Sequence, residues 1–441
     1  MDTLVNYEAR ALRFSNHEYL FRILDAHAPG SGARYDITNI DQISIGRGEP
    51  GCRRDGTTLF IRCTDPYMSS VHATLIRDHA HWILCDEGSR NGVLVNGSRQ
   101  ARAIALEHDL IEVGRTFFML GNNRGLPASD LELTASSSDS ELQTLDPGLT
   151  CAFAELAQLS RSTAPILITG PSGSGKEHAA RFIHAVSART GMLVEVNCGA
   201  FANGVLESEL FGHRRGAFTG AVGDRAGLIS TSDGGTLFLD EIGDMSPAGQ
   251  AAMLRVIEDH RVRPVGASSS HPVDLRVVAA THRDLKDLVE RGTFRDDLLA
   301  RLSGGELVLP PLAERKVDLG LLIGAIAPGI SLTNAAARAL LAYGWPRNIR
   351  ELVRVLERGR TLAPTSEIAL AHLNIAAPER STRTDDVRAE LVALVEHHQG
   401  NVSRIAAALG KARSQVQRIL KRYQIEAARY RIDARNERLA D

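Results

Sequence analysis

Ile166-Leu167-Ile168-Thr169 runs directly into Gly170-Pro171-Ser172-Gly173-Ser174-Gly175-Lys176, after which Ala179, Phe182, Ile183 and Val186 recur at helical spacing. This is a short apolar strand, a glycine-rich turn and an amphipathic helix, the context in which GxxxxGK acts as a phosphate loop. Glycines let backbone N–H groups converge on phosphate oxygens, and the helix N-terminus adds positive potential. Lys176 can reach the β- and γ-phosphates, so residues 170–177 are the candidate nucleotide-binding loop.

Outward from this loop, Leu237-Phe238-Leu239 and Leu275–Ala280 read as further buried strands, predicting an α/β nucleotide-binding domain. Asp240-Glu241 ends the first of them. There Asp240 can hold Mg2+ and Glu241 can orient an attacking water, the alternative being a solvated strand end. Towards the N-terminus, Thr58–Ile61, His72–Ile76, Trp82–Cys85 and Phe117–Leu120 are short β-type runs divided by Gly, Asn and Asp, which predicts an all-β sandwich. Between them, residues 122–144 are acidic, carry Ser136-Ser137-Ser138 and have no basic residue after Arg124, so a linker is expected. Beyond a second joint at 376–385, three apolar stripes follow: Val387, Leu391 and Val395; Val402, Ile405, Ala406 and Leu409; Val416, Ile419, Leu420 and Tyr423. Gly410 divides the last two, a helix-turn-helix pattern.

The whole chain of 441 residues is nearly neutral, with 51 Lys and Arg against 53 Asp and Glu. Nucleic-acid contact therefore needs a local basic region. One lies between Asn401 and Arg435, where nine basic residues meet Glu426 and Asp433. Arg413, Ser414, Gln415, Gln417 and Arg418 are the candidate major-groove residues, with Lys421 and Arg422 nearer phosphates; the alternative is a solvated basic helix. The five cysteines form no CxxC pair, which fits a reducing cytoplasm. No signal-peptide core is present within Met1–Leu20. The apolar run at Leu319–Ile330 is short and broken by glycine, so no membrane span is expected.

Glu207-Ser208-Glu209-Leu210-Phe211-Gly212-His213, followed by Gly216-Ala217-Phe218-Thr219-Gly220-Ala221, resembles the AAA+ ATPases that activate sigma-54-dependent transcription. In that family the second hexapeptide touches the sigma factor. The resemblance implies that Glu177, standing where other phosphate loops carry Ser or Thr, is a family feature. It also implies that Asn197 is a switch tying Glu241 to nucleotide state and that Thr281 is a sensor, followed by His282 where Asn is usual. Arg295 and Arg301 are implied as finger arginines offered to a neighbouring subunit, one of the two remaining open as a surface ion pair, and Arg350 in Trp345–Leu352 as the arginine of a helical lid. Arg347 replaces a usual Gly, and the stretch between Asp318 and Tyr343 is short for this lid.

Ile43–Gly48, Ser69-Ser70-Val71-His72, Asp86–Gly92 and Asn96-Gly97 resemble a forkhead-associated (FHA) domain. The resemblance implies phosphothreonine recognition through Arg47 and Ser69, with Ser70 and Arg90 beside them and Asn91 holding the peptide backbone. His72 reads as a buried structural residue. Arg90 is expected to compensate for the cation missing at Ser70. Gly400-Asn401 and Ala407–Gly410 resemble the Fis-type DNA-binding domain of the same activators.

The expected architecture is multidomain. An FHA sandwich spans 1–121, an α/β AAA+ P-loop ATPase with helical lid spans 145–375, and an all-α helix-turn-helix spans 386–441. The implied function is an activator that binds enhancer DNA, assembles from dimer to hexamer, and uses ATP and Mg2+ to remodel sigma-54 RNA polymerase. The expected input is a phosphothreonine protein of a Ser/Thr kinase pathway, or the chain's own linker phosphorylated at Thr134 or Thr144. The alternative is a phospho-responsive DNA-binding scaffold whose nucleotide controls assembly without productive turnover. A P-loop kinase lacks the acceptor pocket it would need.

Overall fold

The computed structural model describes residues 16–375 apart from 79–80, 125–128, 201–204 and 219–220, and, further on, residues 391, 394–395, 397–398, 400–409, 413, 416–417 and 420. Among the described residues the N-terminal part is two packed sheets. One runs in the order Leu131–Thr134, Ser31–Asp36, Asn16–Asp25, Thr116–Arg124, Leu110–Val113, Val93–Val95, Ser98–Gln100. The other runs Arg102–Ala105, His81–Asp86, Ala73–Asp78, Gln42–Arg47, Thr58–Cys63, Gly51–Asp55. Thr58–Cys63 shows why: every second side chain is buried, the period of a strand with one face on a core.

The α/β domain carries a parallel sheet in the order Leu193–Asn197, Thr236–Asp240, Arg276–Thr281, Ile166–Thr169, Glu306–Val308. Its central strand Arg276–Thr281 is buried at every position, as expected between two helical layers. Arg276 survives there because its guanidinium donates to the carbonyls of Leu159, Ser160 and Ala164 just past helix Pro147–Leu159. Burial nevertheless lowers its pKa to about 10. Asp146 caps the start of the same helix by accepting from Leu149 N at 2.8 Å, with Pro147 in the first turn.

Within segment 122–144, expected as a linker, the described residues from Asp130 on are tied down instead. Leu131–Thr134 adds an antiparallel strand to Ser31–Asp36, and Asp130 accepts from Arg54 and from Asp36 N. The apolar signal there is only Leu131 and Leu133, and the serines that follow mask it. Further on, Thr144 is 3% exposed and donates to Asp318, while Leu145 N donates to the same carboxylate at 2.7 Å. Thr144 is therefore closed to a kinase in this fold; Thr134 is exposed.

The sandwich and the lid share one core. Tyr19, Phe21, Ile23, Leu24 and Met119 of the sandwich cluster with Leu319, Leu321, Ile323, Leu340, Trp345 and Leu352 of the lid. Each such side chain fully removed from water is worth about 1.5–3 kcal/mol. Helix Leu319–Ile326 lies so close to strand Asn16–Asp25 that a Cβ on Gly320 would fall 2.0 Å from the Ile23 carbonyl oxygen. Glycine thus interrupts this apolar run for packing, and no helix among the described residues is long and apolar enough to cross a membrane. Polar contacts register the junction: Arg338 pairs with Glu112 at 2.7 Å, and Asn334 donates to Glu112 and to Gly114 O. A cleft of about 980 Å³ opens along the same seam, between Asn96-Gly97 and Glu314–Lys316.

In the C-terminal part, Leu391, Val395, Ile405, Ala406, Val416 and Leu420 form one small core, with Val402 and Leu409 against it. These are positions of the three expected stripes; Val387, Ile419 and Tyr423 lie outside the described residues. Helix Val402–Ala408 begins at Asn401, whose side chain accepts from Ser403 N and Arg404 N.

Candidate functional site

Strand Ile166–Thr169 delivers the chain to Gly170, and Lys176 opens helix Lys176–Val186. Gly173 adopts φ +75°, where a Cβ would meet the Arg347 carbonyl oxygen at 2.7 Å, so this turn of the loop accepts only glycine without rearrangement. Lys176 is buried, with Nζ donating to Gly170 O at 3.0 Å and to Pro171 O at 3.4 Å. Burial lowers its pKa and Glu241, 4.0 Å away, acts in the opposite direction. The buried Ser174 hydroxyl has no hydrogen-bond partner among the described residues.

Glu241 follows strand Thr236–Asp240 in the left-handed region at φ +53°, which turns its carboxylate sharply away from the strand path. Its Oε2 lies 2.7 Å from His282 Nδ1 and accepts from His282 N at 3.3 Å. Asp240 has its pKa raised, first by burial and then by Glu241. Asn197 stands opposite Asp240 in the paired strands, and its amide donates to Asp240 at 3.4 Å. Its carboxylate neighbour is therefore Asp240 rather than Glu241, since Asn197 and Asp240 share one register position and Glu241 lies past the turn. Thr281 is buried, and its carbonyl accepts from Gly170 N at 3.2 Å.

The lid closes on the same loop. Arg350 donates to Ser172 Oγ at 3.0 Å and approaches Glu177 at 3.8 Å. Sequence reasoning missed two further lid contacts: Asn348, at φ +56°, donates to Ser172 O at 2.9 Å, and Arg315 donates to Ser174 O. Asn348 was visible in the Trp345–Leu352 motif; nothing local marked Arg315. Arg295 stands at the start of helix Asp296–Leu302 and Arg301 in its last turn, and they pair within the chain with Asp297 at 2.6 Å and Glu258 at 3.0 Å. Among the described residues, Lys176, Asp240, Glu241, Thr281 and Arg350 thus converge on or beside the loop, whereas the two finger candidates are engaged elsewhere. A glycine cradle, a buried lysine, an unpartnered hydroxyl and an acidic pair fit a nucleoside triphosphate with Mg2+, an ion that the Asp240 carboxylate could hold.

Two short strands, Gly212-His213 and Arg225-Ala226, pair antiparallel and make the expected loop a hairpin. Its turn is closed by Gly216 N to Ala221 O at 2.9 Å and Ala221 N to Phe218 O at 3.0 Å. Phe218 is 45% exposed, with its ring edge-on to His213 at 5.0 Å. Ala217 packs under Gly266, while Thr219 and Gly220 lie outside the described residues.

At one end of the sandwich, Arg47 N donates to Ser69 O at 2.8 Å and Arg90 N to Ser69 Oγ at 3.3 Å. Asn91 donates to Tyr67 O at 2.7 Å, so Arg47, Ser69, Ser70, Arg90 and Asn91 belong to one loop cluster. His72 is buried and ties the loops together: its Nδ1 accepts from Ser69 N and its Nε2 lies 3.2 Å from Gly92 O. Arg413 and Gln417 are exposed helical positions, whereas Ser414, Gln415, Arg418, Lys421 and Arg422 lie outside the described residues.

Four protein families match the chain: the sigma-54 interaction domain over residues 143–308, the AAA+ ATPase lid domain over 314–390, the FHA domain over 43–114 and a homeodomain-like domain over 382–429. The transcriptional regulatory protein GlrR of Escherichia coli strain K12 is 36% identical over 319 residues, covering 67% of this chain and 72% of that protein. The chain belongs to the sigma-54-dependent transcriptional regulators. This regulator is also 41% identical over 288 residues to the hydrogenase transcriptional regulatory protein HoxA of Bradyrhizobium diazoefficiens, covering 59% of each. The match to HoxA of Cupriavidus necator spans 46% of that protein at 47% identity. The chain thus spans about half the length of these two relatives. Among solved structures, NtrX of Brucella abortus in complex with ADP is similar at 30% identity and a TM-score of 0.51, covering 65% of this regulator and 70% of that chain.

Proposed function

We propose that the regulator is an ATP-driven activator that remodels sigma-54 RNA polymerase. In this reading Lys176 and Arg350 hold the triphosphate, and Glu241 orients the attacking water. Asn197, beside Asp240, and Thr281, beside Gly170, report whether the γ-phosphate is present. Mg2+ at Asp240 would neutralise charge on the β- and γ-phosphates. Arg295 or Arg301 leaves its ion pair to reach the γ-phosphate of an adjoining protomer, which makes a ring of up to six subunits the active form. An arginine in that role contributes roughly 10³–10⁵ in rate.

The proposed output is the hairpin from Gly216 to Ala221, pressing Phe218 and Thr219 on the sigma factor. The single observation that carries the reading is that Phe218 stands exposed on a hairpin rooted in the same domain as the phosphate loop. The helix-turn-helix from 386 to 441 would hold enhancer DNA through Arg413–Arg422. The sandwich would take a phosphothreonine segment at Arg47, Ser69, Ser70, Arg90 and Asn91, supplied by a partner protein of a Ser/Thr kinase pathway.

Glu241→Gln tests it. Loss of a positioned base should reduce hydrolysis about 10²–10⁴-fold while ADP still binds, and transcription from a sigma-54 promoter should fall with it. Intact promoter activation by this variant would favour a DNA-binding scaffold in which nucleotide serves assembly alone.

A further inference from the structure

The loop end of the sandwich and the nucleotide cleft are joined by a short path of side chains with Arg115 at its centre. Asn91 donates to Tyr67 O at 2.7 Å, and Tyr67 N donates to Asp65 at 2.8 Å. Asp65 is fully buried, and its other oxygen accepts from Arg115 N at 2.6 Å and Thr116 Oγ1 at 3.1 Å. The Arg115 guanidinium lies 5.3 Å from the centre of the Tyr67 ring and leaves the sandwich, donating to Leu332 O and to Glu367 at 2.7 Å.

Both acceptors belong to the lid. Ser331-Leu332 pairs in parallel with Glu367-Ile368, and Leu332 N donates back to Ala26 O in the sandwich at 2.7 Å. Ile368 packs under Gly359 of helix Asn348–Leu362, so a shift of that strand pair displaces the helix. The first turn of the helix grips the phosphate loop through Asn348, Ile349 N to Gly173 O at 2.9 Å, and Arg350. Packed elements of this kind shift between discrete arrangements rather than deform smoothly.

We propose that Arg115 couples the two sites, so that a phosphothreonine segment at the Asn91 loop and nucleotide at the Gly170–Lys176 loop change each other's affinity. The inference rests on the reading of both sites given above. A peptide that recruits the Asn91 amide withdraws it from Tyr67 O, freeing the Tyr67 loop that sits under the guanidinium. Arg115 is suited to respond because its buried Nε has no hydrogen-bond partner among the described residues, leaving the present arrangement incompletely satisfied. The cleft along the seam gives the sandwich room to move against the lid.

The test uses the full chain and ADP as probe, reading hydrogen exchange at residues 66–71 and 88–92, with Arg115→Ala, Arg115→Lys and Glu367→Gln as variants. ADP should change exchange at these loops in the wild type, and a pool of phosphothreonine peptides should shift ADP affinity by about 5-fold or more. Arg115→Ala should bind ADP within about 2-fold of wild type yet lose the loop response, because the partners of Arg115 are Asp65, Tyr67, Leu332 and Glu367 rather than phosphate-loop residues. Arg115→Lys, with one compact ammonium in place of a fork, should restore only part. Glu367→Gln leaves the sandwich core untouched and should weaken the response, which keeps the test valid if Arg115→Ala fails to fold. A silent loop in the wild type, or an undiminished response in both Arg115→Ala and Glu367→Gln, overturns the coupling. A response to ADP with no peptide bound by any variant would uphold the coupling and remove the phosphothreonine reading alone.

Discussion

Asp318→Asn isolates the cost of a buried carboxylate at the junction of segment 142–146 with the lid. Asp318 is wholly buried, and burial raises its pKa to about 6 against an ordinary 3.8, with Leu145 N, Arg315 and Thr144 acting in the opposite direction. A folded-state pKa above the unfolded one means that the folded chain holds the proton more tightly. Stability from this group is therefore complete below about pH 4 and is lost as pH rises to about 6, beyond which it stays low. The shift of roughly two units corresponds to about 3 kcal/mol across that window. Asparagine keeps an acceptor for Leu145 N and can donate to the Thr144 hydroxyl, which accepts as well as donates. Calorimetric melting of both proteins from pH 4.5 to 7.5 gives the difference between them, in which all other titrating groups cancel. The variant should gain on the wild type as pH rises from 4.5 to 6.5 and hold its advantage above that. A difference independent of pH would refute the assignment of the window to Asp318.

Gly320→Val forces a side chain into the Ile23 carbonyl and should destabilise the sandwich–lid junction by about 1–3 kcal/mol or more, read as a lower melting temperature and faster proteolysis between residues 135 and 146; an unchanged melt would show that the close approach is not required. Arg47→Ala should weaken phosphothreonine peptide binding at least about tenfold through loss of a charged hydrogen bond, with Arg90→Ala weakening it by a similar amount if Arg90 supplies the cation absent at Ser70. Calorimetric titration giving equal affinities for Arg90→Ala and wild type would end the compensation argument.

Local chemistry was readable wherever it was encoded locally. The phosphate loop, the Asp240-Glu241 strand end, the short strands of the sandwich and the stripes from Leu391 to Leu420 each declare themselves by spacing within a few residues. The shared core of sandwich and lid does not, because it joins Phe21 and Met119 to residues such as Leu319 and Leu340 far along the chain, and apolar periodicity names a buried face without naming its partner. Gly320 read as a break in an apolar run, although its role is to let two backbones touch. Thr144 read as part of a solvated serine-rich segment because composition is averaged over neighbours, whereas its burial is decided by the distant Asp318. The acidic partner of Asn197 was likewise settled by strand register and by the left-handed turn at Glu241, which no pattern of residue types discloses.

Arg34 is buried inside the sandwich and donates to Leu145 O at 2.8 Å and Thr150 Oγ1 at 3.1 Å, clasping the chain where it passes towards the phosphate loop. With that clasp in place the described stretch from Asp130 to Leu145 is no slack tether for the sandwich. Swapping it for another sensor by cutting near residue 121 would strip a wall from the lid and orphan a helix start, so a working chimera has to take its breakpoint after Thr150 and import a lid surface matched to the new module.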